Sequence, residues 1–88
     1  MNQIIQIYFD LTESQIDRLT NQHKDILFFI YIHGSITPMD AFSELGITKL
    51  ATRISEMKII GVHFGQNYES RVNMMGKKSH YMRYRKAA

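Results

Sequence analysis

Thr48, Lys49, Thr52 and Arg53 stand close together in the chain, with Glu56 three residues further on. In a helix, positions three and four apart are neighbours, so these hydroxyl, ammonium and guanidinium donors would crowd its amino-terminal half. That is chemistry suited to an acceptor-rich polyanion. Arg53 can offer two parallel donors to a guanine edge, and Lys49 can do the same or hold a phosphate. Thr48 and the first amides of the helix can donate to a phosphate, assisted by the helix dipole. Glu56 could accept from a cytosine amine, though it would repel nearby phosphates. Arg71, Lys77, Lys78, Arg83 and Arg85 extend the cationic character toward the carboxyl end as further phosphate contacts. Each has a plainer reading. Arg53 could pair on the surface with Glu56 or Glu44, and Lys77 and Lys78 could simply keep a turn soluble. Tyr81 and Tyr84 could pack against a sheet instead of stacking on bases.

The distribution of charge fits a polyanion partner. The 88 residues carry 11 Lys and Arg against 8 Asp and Glu, for a net charge of +3. Residues 1–44 hold two basic side chains against six acidic ones, whereas residues 45–88 hold nine against two. A chain polarised in this way attracts a polyanion on one face and leaves the other acidic. Other chemistries lack their parts. His23, His33, His63 and His80 show no HxH or HxxxH spacing, and the absence of cysteine removes thiolate ligands and disulfides. No P-loop, GxSxG or GxGxxG motif occurs. Asp40 and Glu44 are spaced for one helix face with no nucleophile to activate, so neither catalysis nor a cofactor is expected. The longest apolar run, residues 26–32, is far short of the roughly 20 residues that cross a bilayer. The amino terminus has no basic region ahead of a long apolar stretch, so a signal peptide is not expected. One small, soluble, cytoplasmic domain is the expectation.

Positioning those donors requires a particular set of elements. Residues 1–9 mix Ile4, Ile5, Ile7, Tyr8 and Phe9 with amides, which favours a strand or an extended arm. Thr12 followed by Gln15 has the capping-box pattern and opens a short helix over about 13–19. Thr20 or Asn21 can cap a second helix ending at Gly34, with Ile26, Leu27 and Ile30 turned inward. Phe28, Phe29, Tyr31 and Ile32 make its other side apolar too, so the arm or a second copy of the chain must cover it. A buried strand is the alternative for this run. Thr37-Pro38 opens a helix over 38–45 with Ala41, Phe42 and Leu45 on one face, closed by Gly46. Thr48 then caps a helix over 49–60, with Leu50, Ile54 and Met57 as its inward stripe and Gly61 at its end. Two short helices joined by Gly46-Ile-Thr48 have the layout of a helix-turn-helix. Alternation over 62–68 and 80–85, with Gly76-Lys-Lys78 between, predicts a β-hairpin.

On these residues the chain resembles the small winged helix-turn-helix DNA-binding domains of bacteriophage and prophage genomes. The likeness lies in Gly34-Ser-Ile-Thr-Pro-Met-Asp-Ala41, Leu45-Gly-Ile-Thr-Lys-Leu-Ala-Thr-Arg-Ile-Ser-Glu-Met57, Gly61, and Gly76-Lys-Lys-Ser-His-Tyr-Met-Arg-Tyr-Arg85. It covers roughly residues 21–85, and the Lys-Leu-Ala-Thr-Arg-Ile core is its most specific part. The resemblance implies an α+β fold, with a three-helix core and a carboxyl-terminal wing. It also implies double-stranded DNA as partner, and transcriptional regulation or a recombination accessory role in a bacterial host cell. Residues 1–20 fall outside the pattern, as an arm and short helix beside a domain at 21–88. They are a candidate homodimer or partner surface, formed by Ile4, Ile5, Ile7, Tyr8, Phe9 and the outer face of helix 21–33. The alternative function is a winged-helix module that binds and inhibits a host protein or ribonucleoprotein.

Overall fold

Three threonines start three of the helices in the computed structural model, which describes residues 2–88. Thr12, Thr20 and Thr37 each accept through the side-chain oxygen from the amide three residues on. Gln15, His23 and Asp40 return the bond to the threonine amide. Each box satisfies two amides that a helix start would otherwise leave open. The helices so opened are α2 (Glu13–Arg18), α3 (Asn21–His33) and α4 (Pro38–Leu45). Before them lies α1 (Asn2–Phe9); after them come α5 (Leu50–Ile60) and the strands β1 (Phe64–Val72) and β2 (Lys78–Lys86).

The two strands pair antiparallel from Phe64 opposite Lys86 to Val72 opposite Lys78. Ile36, in the connector between α3 and α4, forms a bridge with Tyr84 of β2, exchanging both backbone hydrogen bonds at 2.8 and 2.9 Å. This bridge anchors the base of the hairpin to the helical core. Ile26, Leu27 and Ile30 of α3 meet Ile36, Ala41, Leu50, Ile54, Met57, Val62 and Tyr84 in one buried cluster. Each fully buried Ile, Leu or Met there contributes about 1.5–3 kcal/mol relative to exposure.

The amino-terminal segment departs from the extended arm expected of it. From Asn2 onward it is helical; Met1 lies outside the described residues. Ile5 and Phe9, one helical turn apart, are buried against the core, while Ile7 between them is 81 % exposed. A strand would have turned all three to one side. Packing on α3, with the Tyr8 ring edge-on to Tyr31 at 5.1 Å, outweighs the β preference of the isoleucines. Asp10 closes α1 at φ 56°, a left-handed position that Asp tolerates better than most residues. The arm thus does cover α3, as a helix. It also removes Ile5 and Phe9 from the expected dimer surface, because they are core residues of one copy. Leu11, Ile16 and Leu19 join the same cluster.

Two smaller expectations also change. Residues 26–32 are helical, which closes the strand alternative. Phe42, expected beside Ala41 and Leu45 on the inner face, is 61 % exposed. Ala41 and Leu45, one turn apart, already fill the short contact of α4, and Phe42 points to solvent with Met39.

Candidate nucleic-acid interface

The connection from α4 to α5 sets what α5 presents. Gly46 leaves α4 at φ 68°, and the buried Ile47 hangs its amide on the Ala41 carbonyl at 2.9 Å. Thr48 and Lys49 are thereby carried outward, both exposed. Thr48 does not cap the helix, and α5 begins at Leu50, one residue later than expected. The capping position falls to Lys49, whose backbone (φ −124°, ψ 60°) is not helical and whose side chain makes no capping bond. The reason is the anchoring of Ile47, which spends the turn on reaching the core and leaves Thr48 in a bend. The first amides of α5 consequently have no side-chain acceptor, unlike those of α2, α3 and α4.

Leu50, Ile54 and Met57 face inward as expected. Thr52 is exposed on the opposite side, and Arg53 is half-buried on the flank of the stripe. Arg53 places Nη1 3.2 Å from Glu56 Oε1, the pairing foreseen as its plainer reading. Sequence reasoning missed the second partner of that carboxylate. His23 of α3 is 3 % exposed; its Nδ1 accepts from the Thr20 amide at 3.1 Å, so Nε2 carries the proton and donates to Glu56 Oε1 at 2.9 Å. Glu56 is therefore a clamp between α3 and the Arg53 guanidinium. The only local signal was the position of His23 three residues after Thr20. At the far end, Gln15 Nε2 donates to the Ile60 carbonyl at 3.3 Å. Gly61 and Val62 close α5 by donating to Lys58 and Met57.

The wing divides the remaining cations. Arg83 Nε donates to Glu69 Oε2 at 2.8 Å and Nη1 to Ser35 Oγ at 2.8 Å, bracing the hairpin against the connector before α4. That hydrogen bond from Arg83, followed by one from Asn67, holds the Glu69 carboxyl below its ordinary range. Arg85 Nη2 donates to Asn67 Oδ1 at 2.6 Å and remains exposed. Among the described residues Lys49, Arg71, Lys77 and Lys78 are exposed and make no ion pair. Tyr84 is buried, and burial pushes its hydroxyl pKa up; it packs and is not free to stack on a base. A groove of about 370 Å³ separates the first turn of α4 from the wing, between Thr37, Pro38, Arg71, Tyr81 and Arg83. No group of acidic, histidine or cysteine side chains among the described residues could hold a metal ion. No helix among them is long and apolar enough to cross a membrane.

A helix-turn-helix whose second helix shows donors to solvent, followed by a basic hairpin tied back to the core, is a winged helix-turn-helix. The family model of the winged helix-turn-helix domain matches residues 21–85, and the chain belongs to that family. Membership points to DNA binding by a domain that is typically not an enzyme. No curated protein and no solved structure matches the chain.

Proposed function

We propose that this protein binds duplex DNA as a regulator of phage or prophage origin, acting in the cytoplasm of a bacterial host. In this reading α5 enters the major groove, and the observation that carries it is the exposed set Thr48, Lys49 and Thr52 at the start of that helix, with Arg53 half-buried beside them. Arg53 is the base-reading residue, with Glu56 holding its guanidinium. Lys49, Arg71, Lys77, Lys78 and Arg85 take phosphates, while Arg83 holds the wing in place.

Fluorescence anisotropy on random-sequence duplex across a salt series tests this reading. Each phosphate neutralised should add about 0.9 to the slope of log affinity against log salt. Lys49→Ala/Arg53→Ala should weaken binding and flatten that slope. Absence of binding at low salt would remove the reading.

A second reading has its own support on α1 and α3. Ile4, Ile7, Tyr31 and Ile32 remain exposed on α1 and α3, and Asp10, Asp17 and Asp25 are exposed nearby in sequence. This surface would serve a homodimer reading two half-sites, or a host protein inhibited by the domain. Sedimentation of Ile7→Glu/Ile32→Glu separates the cases. A fall in mass marks a dimer surface, and a wild type that is already monomeric removes the dimer.

A further inference from the structure

The tip of the wing carries two methionines that its turn does not need. The Gly76 amide donates to the Asn73 carbonyl, and the Asn73 amide to the Lys77 carbonyl, both at 3.0 Å. Asn73 Oδ1 accepts from the amides of Met75 and Lys77 at 2.9 and 3.0 Å. Gly76 has φ +77°. Asn in the first position and Gly in the fourth are what such a turn requires. The two central positions accept almost any residue and are ordinarily polar. Here they are Met74, fully exposed, and Met75, 83 % exposed.

The surroundings of these side chains narrow what could cover them. Every residue from 70 to 80 is exposed. Three ladder pairs lie beyond Glu69 and Tyr81, so the hairpin projects about 10 Å before its turn. Arg71, Lys77 and Lys78 ring the projection, and no acidic residue follows Glu69 in the chain. The result is a narrow apolar point inside a cationic collar, set on a turn stiffened by its own asparagine. A convex tip of this kind fits into a groove; it does not form one. Its charge complements a groove walled by phosphates.

We propose that Met74 and Met75 act as a wedge entering the minor groove of DNA beside the site read by α5. There they partly unstack a base step, while Arg71, Lys77 and Lys78 hold the flanking phosphates. The proposal rests on the DNA-binding reading above. Methionine suits the task because its unbranched, polarisable chain adapts to the flat faces it separates. Apolar side chains inserted in this way kink a duplex toward its major groove. Pyrimidine–purine steps unstack most easily, so the wedge would favour sites with such a step on one flank.

The experiment measures bending at matched occupancy. Ligase-catalysed circularisation of a fragment shorter than the roughly 150-bp persistence length reports bending without knowledge of the binding site. Wild type, Met74→Ala/Met75→Ala and Met74→Leu/Met75→Leu are compared at concentrations giving equal anisotropy. Because these side chains touch no core residue, circular dichroism should show all three folded. Wild type and the leucine variant should raise circle yield by about tenfold or more, and the alanine variant should lose most of that gain. Equal yields from wild type and the alanine variant would overturn the wedge while leaving DNA binding intact. So would binding by wild type without any gain in circles. Failure of wild type to bind at low salt would instead overturn the DNA reading, and the wedge with it. An alanine variant that loses self-association but bends as wild type does would make the tip a protein contact and overturn the proposal.

Discussion

Glu56 shows how one carboxylate sets the behaviour of a cation that sequence spacing alone would leave free. It accepts from a buried histidine on α3 and pairs with Arg53 on α5, so the guanidinium is tethered before any ligand arrives. Glu56→Gln keeps an acceptor for His23 Nε2 but weakens the hold on Arg53 and removes a negative charge from the proposed groove face. Affinity for random duplex should therefore rise, while discrimination at the base read by Arg53 should fall by part of the ~1–3 kcal/mol that a bidentate contact supplies. Competition of operator-like against random duplex measures both; unchanged discrimination would detach Glu56 from base reading. The exposure of Thr48, Lys49 and Thr52 was legible in the sequence, because helical spacing shows which side chains lie away from an apolar stripe. The clamp was not legible, because His23 and Glu56 meet only when α3 and α5 pack.

At the scale of elements, caps and stops were the readable part. The capping threonines and the glycines at 34, 46 and 61 carry local stereochemistry, and they place the helix ends within a residue or so; the hairpin was legible, but β1 runs to Val72, four residues past the alternation read to 68. The first helix was not readable in this way. Its isoleucines favour a strand, and only the contact with α3 makes it helical. Gly61 is the element boundary with least tolerance, since φ is +112° and an added Cβ would lie 2.5 Å from Gln15 Nε2. Gly61→Ala should cost about 1–3 kcal/mol, read from the urea midpoint, and loosen the end of α5. The wing should be sensitive to acid. Glu69 is held below its ordinary pKa, so its contribution is fully present above the usual carboxylate range and is lost as pH falls from that range through the lowered folded-state value. Protection of the β1 and β2 amides relative to their intrinsic exchange rates should fall below about pH 4 in wild type. Glu69→Gln should show no such acid-side change.

Over the whole molecule, nine of the eleven Lys and Arg lie in residues 45–88, which hold α5 and the wing, and six of the eight Asp and Glu lie in residues 1–44. Both halves depend on one core, which α1 completes. Phe9→Ala should therefore unfold the domain more easily by about 3 kcal/mol, instead of releasing a dimer with stability intact. Equilibrium denaturation checks this, and an unchanged midpoint would show that α1 is dispensable. The central claim is that DNA meets α5 and the wing. The most direct test is an NMR titration of the ¹⁵N-labelled protein with duplex DNA, reading every amide at once. The account expects shifts at residues 48–53 and 71–79, with those of α1 and α2 unmoved. Shifts confined to α1, α2 and the outer face of α3 would contradict it and turn the search toward a protein partner.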